Sequence, residues 1–143
     1  MARNVAFMPV PPERVFEVLS DPDAYAFWVV GSETVRDADD SWPAVGSKFH
    51  HRIGLGPIKI NDNTEVVDAA PPHLLVLQAR ARPLGTARVT LMLTPEGQGT
   101  RVTMIEEPGD LVTRIVHNPL LDAVIARRNG VSLRRLQMLA TAA

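Results

Sequence analysis

The chain has no cysteine. That removes disulfide staples, thiolate metal sites and thiol nucleophiles together. It also lacks an excess of charge of either sign: 15 Lys and Arg stand against 16 Asp and Glu, a net charge of −1. A nucleic-acid footprint needs a concentrated basic patch. The only cationic cluster is the pairs Arg127-Arg128 and Arg134-Arg135, and helical spacing splits each pair between faces. No nucleic-acid partner is expected. No apolar run approaches the ~18 residues of a membrane helix, and the N-terminus lacks a signal peptide's apolar stretch. The expectation is a cytoplasmic protein with no integral membrane segment. Aromatic residues make up only 5% of the chain. Its interior must therefore be mostly aliphatic.

What is present is enough for one core. With 143 residues, 45% of them hydrophobic, residues 1–143 are expected to form a single domain. The longest periodic stretch is the last, Asn118 to Ala143. Asn118 suits an N-cap, Pro119 the first helical position and Asp122 the positive end of the helix dipole. At about 100° per residue, Leu121, Val124, Ile125, Leu136 and Leu139 share one face. Arg127, Arg134, Gln137, Gly130 and Ala126 fall opposite, so Gly130 reads as a tolerated weakness on the outer side. Arg128 and Ser132 interrupt the apolar face. Either the Arg128 stem packs while its head reaches water, or this face roofs a cavity where Arg128 meets a carboxylate or an acidic ligand.

Before that helix the period is two. A strand from Asn4 to Val10 leads to a short helix, Glu13 to Leu19. Asp21-Pro22-Asp23 then caps a second short helical piece bearing Tyr25, Phe27 and Trp28. Glu33 to Arg36 reads as a strand. Further strands start at Gly46, Ile58, Leu74, Ala87 and Arg101, separated by Gly- and Pro-rich turns. Pro108 to His117 is a connection. The class is α+β: a curled antiparallel sheet of about six to seven strands around the C-terminal helix, with two short helices after the first strand. A curled sheet and one helix leave space between them, and that space would be a pocket.

Several stretches carry a family likeness. They are Pro11 to Pro22, then Tyr25 and Trp28, then Val45-Gly46-Ser47. After them come Val66 with Pro71-Pro72, Gly99 to Thr103, and finally Asn129, Leu133 and Leu136. Together they resemble the SRPBCC superfamily, the START-like or helix-grip fold, near its polyketide cyclase/dehydrase-like branch. The resemblance covers essentially the whole chain. It implies a hydrophobic cavity whose ligands vary widely among members, and it brings no shared catalytic motif.

The residues themselves offer little obvious chemistry. His50 and His51 are adjacent on a strand and face opposite ways, and His73 and His117 stand apart, so no metal or other cofactor is expected. Gly54-Leu55-Gly56 lacks the spacing and lysine of a phosphate loop. No serine nucleophile elbow is present. Strand parity gives the candidate cavity: Phe49, His51, Ile53, Asp62, Thr64, Val66, Leu77, Leu91, Met104 and Glu106 from the sheet. Val124, Ile125, Arg128 and Ser132 join them from the helix, and Phe27 and Trp28, with Trp42, stand near the mouth. The polar members satisfy one another as an Arg128–Glu106 pair, anchor a ligand, or perform acid–base chemistry with a Glu106 or Asp62 pKa raised by desolvation. Three functions follow. The first is binding or transport of a small hydrophobic molecule, the second a polyketide cyclase or dehydratase, the third a protein-interaction module without ligand. A homodimer through a sheet face or edge is compatible with each. The segments Ser32 to Trp42 and Gly109 to His117 are candidate gates.

Overall fold

The computed structural model describes residues 1–110, 114, 115 and 117–142, and Leu55 by its backbone alone. The expected gate between Gly109 and His117 therefore lies partly outside the described residues, as do Leu111, Val112 and Val116.

Seven strands form one antiparallel sheet: β1 (Ala2–Met8), β2 (Ser32–Ala38), β3 (Lys48–Leu55), β4 (Ile58–Ala70), β5 (Leu74–Ala81), β6 (Gly85–Glu96) and β7 (Gly99–Pro108). Their order is β1-β7-β6-β5-β4-β3-β2, so β2 to β7 form a meander and β1 returns to pair with the last strand. Between β1 and β2 come α1 (Pro12–Leu19), a one-turn 3₁₀ segment (Pro22–Ala24) and α2 (Tyr25–Trp28). The last element is α3 (Pro119–Thr141). Strand starts and ends fall within a few residues of the expected ones. The inward parity holds because the β4 irregularity, between Val66 and Asp68, comes after the inward run Asp62, Thr64, Val66.

The helix ends follow local chemistry. Leu121 N–H donates to Asn118 Oδ1 at 2.9 Å, a side-chain N-cap. Asp23 N–H donates to Asp21 Oδ1 at 3.0 Å at the 3₁₀ segment. At the far end of α3, Arg14 of α1 donates from Nε to the Ala140 carbonyl and from Nη2 to the Leu139 carbonyl, each at 3.0 Å. One guanidinium thus caps the Ala140 carbonyl, shares the Leu139 carbonyl with the Ala142 N–H, and ties the first helix to the last. Gly31 (φ 97°) turns the chain from α2 into β2, a conformation only glycine adopts cheaply.

The core occupies one end of the space between sheet and helix. Val15 and Leu19 of α1 meet Leu75, Leu91, Leu93 and Val102 of the sheet and Leu133, Leu136 and Ala140 of α3. The buried stripe of α3 is rotated from the one its sequence suggests. Asn129, Ser132, Leu133, Leu136 and Ala140 are buried, whereas Val124 is 59% exposed. Gly130 is not on a free outer face. A Cβ there would stand 3.6 Å from Asn4 Nδ2 of β1, and that same nitrogen donates to the Ala126 carbonyl at 2.9 Å. Ala126 and Gly130, expected on the solvated side, lie against β1, while Arg127 and Arg134 of that side are exposed.

This placement separates two truncations. Leu136→Ala, at a fully buried position, is expected to cost about 2–5 kcal/mol. Val124→Ala is expected to stay within about 0.5 kcal/mol. Urea unfolding of both variants measures the difference.

Candidate functional site

Side-chain size changes along the inward face of the sheet. On β6, Leu93 and Leu91 are in the core, and Val89, Ala87 and Gly85 lie on the same side beyond them. On β5 the succession is Leu75, then Leu77, Ala79 and Ala81. The register sets the small residues opposite one another: Ala79 faces Ala87, and Ala81 faces Gly85. Such side chains cannot reach the helix, and the core stops there. A cavity of about 630 Å³ takes its place.

Phe49, His51 and Ile53 of β3, Thr64 of β4 and Met104 and Glu106 of β7 complete the sheet side of the wall. Leu121, Ile125, Arg128 and Asn129 of α3 form the roof. Trp28, Val29, Val30, Gly31 and Ser32 close the side next to α2, and Leu84 stands at the β5–β6 turn. An aromatic cluster lies beside the cavity. The Tyr25 ring is 5.1 Å from Trp28 and 4.8 Å from Phe49, and Phe49 is 5.6 Å from His51, centroid to centroid. Tyr25 Oη and Trp42 Nε1 both donate to the Leu19 carbonyl, at 2.7 and 3.1 Å. Burial, with some help from the Asp21 charge, pushes the Tyr25 phenol pKa far up, so the hydroxyl stays a neutral donor.

Two polar groupings stand in the wall. In the first, Arg128 Nη2 donates to both Glu106 oxygens, at 2.6 and 2.7 Å, and Asn129 Nδ2 donates to Oε1 at 3.2 Å. The mutual pairing of Arg128 and Glu106 is thus the arrangement present. In the second, His51 Nε2 and Thr64 Oγ1 are 3.1 Å apart. Burial lowers the His51 pKa below the usual imidazole value. The Asn63 carbonyl and the Asp62 charge pull upward but are outweighed, and Arg36 and His50 add to the lowering. His51 is therefore a neutral imidazole at pH 7.

Of the four buried side-chain polar atoms without a hydrogen-bond partner among the described residues, three belong to wall residues: Trp28 Nε1, Ser32 Oγ and His51 Nδ1. The fourth is Asn4 Oδ1. An unsatisfied buried donor or acceptor costs about 1–3 kcal/mol. All three wall-residue atoms are buried to the point that water in the cavity would not touch them, so they stand behind its surface and not on it.

Several expected wall residues stand elsewhere. Val66 and Leu91 face inward but lie in the packed core, at the end where large side chains fill the space. Ser132 is buried, but its Oγ accepts the Val30 N–H at 3.1 Å, so it holds the α2–β2 junction instead of facing the cavity. Val124 points away with the rotation of α3, and Phe27 is 46% exposed on the far side of the short α2. Trp42 packs behind Phe49 at 4.8 Å rather than at a mouth. Asp62 is buried but bound by Arg82, whose backbone N–H and guanidinium donate at 2.7–3.0 Å. Burial alone would raise its pKa. The Arg82 hydrogen bonds and charge and the Asn63 N–H outweigh burial and bring it to about 2. The expected rise toward a catalytic range does not occur. Asn129 was outside the expected lining despite its place in the family likeness. A buried amide one residue from an interior arginine is a signal that wheel plots of apolar residues pass over. Among the described residues no cluster of three or more metal-ligating side chains occurs, and no helix is long and apolar enough to cross a membrane.

A seven-stranded sheet curled on a terminal helix, with a mainly apolar cavity between them, is the helix-grip architecture. Its family follows from sequence. A family model described as "Polyketide cyclase / dehydrase and lipid transport" matches residues 3–141, and the chain belongs to that family. Solved structures share the fold. Protein CV1439 from Chromobacterium violaceum is 20% identical, with a TM-score of 0.73 over 99% of this chain and 97% of that one. Protein BH1534 from Bacillus halodurans is 20% identical, with a TM-score of 0.69 over 96% and 94%. TTHA0849 from Thermus thermophilus is 18% identical, with a TM-score of 0.67 over 97% and 95%. At these identities the likeness shows fold alone. No curated protein matches the chain.

The Asp62–Arg82 pair gives a pH signature. The folded carboxyl binds its proton less readily than the unfolded one, near 3.9. Its contribution is therefore full above about pH 4 and lost as pH falls through about 2. Asp62→Asn is expected to lower the urea midpoint at pH 6, and the gap to wild type should close between about pH 4 and about pH 2.

Proposed function

We propose that the protein binds one small, predominantly apolar molecule in the cavity and serves as its carrier or receptor. One observation carries this reading. The chain leaves a cavity of about 630 Å³ between sheet and helix, within the range of about 300–1,000 Å³ typical of small-molecule sites. The family's description, which includes lipid transport, supports it. Small residues at Ala79, Ala81, Gly85 and Ala87 line the space, where larger ones would have filled it and added stability. An interaction module with a filled interior is a poorer fit to that wall.

A second reading, a polyketide cyclase or dehydratase, draws on His51. A neutral imidazole beside the cavity is a base by type, but its Nδ1 is buried and reaches a substrate only if the wall shifts. It ranks second because both carboxylates expected to assist are committed, Glu106 to Arg128 and Asp62 to Arg82.

Native mass spectrometry of protein purified without detergent, followed by solvent extraction, tests the proposal. The expected result is a recurrent apolar compound near one per chain. Ala87→Phe, which narrows the cavity, should weaken its retention while the chain still folds. Turnover of a polyketide-like compound that is lost in His51→Ala with binding kept would instead favour the enzyme. A protein that is empty and binds none of a panel of fatty acids, sterols, quinones and aromatic polyketides would sink the ligand-binding role.

A further inference from the structure

We infer that the outer face of the sheet pairs with the same face of a second copy of the chain, about a two-fold axis running along β6. The cavity lies on the other side of the sheet, so this inference and the ligand-binding reading stand or fall separately.

The outer face departs from the usual pattern. An antiparallel sheet with one face on the core normally turns polar residues to water on the other. Here α1, α2 and α3 pack against the inward residues, and two adjacent rows on the opposite side are mostly apolar. The register aligns Val5, Thr103, Met92, Leu74 and Ala70 across β1, β7, β6, β5 and β4. The next row over the same strands is Arg3, Ile105, Thr90, Val76 and Asp68. Between the two ends of that second row the region carries no charge. Val5 is 51% exposed, and Phe7, further along β1 on the same side, 52%. A contiguous apolar patch left open in this way marks an interaction site.

Charge selects the occupant. The second row ends in opposite charges, Arg3 on β1 and Asp68 on β4, both exposed. Among the described residues neither joins an ion pair. Asp68 accepts only the Ala69 N–H, at 2.9 Å. The charges flanking the patch are balanced within the chain. Arg101 pairs with Glu96 at 2.5 Å, and Arg88 stands opposite Glu107 in the register.

An axis along β6, the middle of the five strands, lays β1 of one copy over β4 of the other. Arg3 then faces Asp68 of the partner subunit, and Asp68 faces the partner's Arg3. Ile105 faces the partner's Val76, and Thr90 sits on the axis against its own equivalent. An axis across the strands would set β1 on β1 and β4 on β4, bringing like charges together. The pattern is self-complementary in one orientation, which favours a second copy over an unrelated protein or a lipid surface. With the rows on either side, the patch spans about 24 Å by 27 Å from strand spacings, roughly 650 Å² on each copy and at the low end of specific interfaces. A dimer of micromolar strength is the expected result.

Sedimentation velocity of the full chain from about 1 to 300 μM tests this, and the wild type should pass from monomer to dimer within that range. Thr90→Arg puts two like charges on the axis and should weaken the dimer at least about tenfold. Arg3→Asp and Asp68→Arg each disturb both symmetric pairs and should weaken it about fivefold, while the double swap should return it to near wild type. All three side chains project away from the core, and thermal unfolding confirms that the variants are folded. A wild type that stays monomeric through the range overturns the inference. A dimer that survives Thr90→Arg uses another surface and overturns it too. Single variants that leave the dimer unchanged, or a double swap that fails to restore it, overturn the pairing and the axis with it.

Discussion

The Glu106 carboxylate holds the helix over a space that apolar packing does not fill. Along its C-terminal half α3 rests on leucines and valines, and burial secures it. Along its N-terminal half the sheet beneath carries alanine and glycine, and packing is lost. Polar tethers act there instead. Arg128 and Asn129 bind Glu106 of β7, Asn4 of β1 binds the Ala126 carbonyl, and Ser132 receives the Val30 N–H. Each joins α3 to a different neighbour around the cavity. A hydrogen bond is directional and keeps its partners at fixed separation, so tethers to three neighbours can hold a roof without material under it. Arg14 secures the opposite end by capping the helix's last carbonyls.

The fold was legible because periodicity carries it. Alternating residues on β3 to β7 and the capped run from Asn118 gave the strands, their order of appearance and the covering helix. The helix's rotation was less legible. A wheel assigns the buried face from apolar residues, but α3 buries Asn129 and Ser132 and exposes Val124. Polar residues used as tethers invert the signal that the wheel reads. The same cause displaced Gly130: its neighbour is the Asn4 amide, not a hydrophobic partner.

The position of the cavity along the strands was encoded, though in size rather than polarity. Parity places Val66, Leu77, Leu91 and Met104 on the inward side without distinguishing filled from empty. The change from Leu91 and Leu93 to Ala87 and Gly85, with Ala79 and Ala81 opposite, marks the boundary. Residue size shows where the space opens, at Ala79, Ala81, Gly85 and Ala87, but it does not separate Val66 and Leu91 from Leu77 and Met104, which belong to the core and also border the cavity. Asp62 shows a different limit. Its partner Arg82 is 20 residues away in sequence, and only the β4–β5 register brings them together. Parity alone cannot say whether an inward carboxylate is desolvated and neutral or bound by a cation.

Polar residues in a mainly apolar wall have to be judged by what remains unpaired. Glu106 and Arg128 stand out in the sequence, yet their charges are spent on each other and on the roof. Trp28 and His51 look like ordinary packing, yet they hold the buried atoms without partners. Those atoms lie beneath the cavity surface, so the wall that borders the space is the apolar one of Ile53, Leu77, Val89 and Met104, with the Arg128–Glu106 pair at its roof.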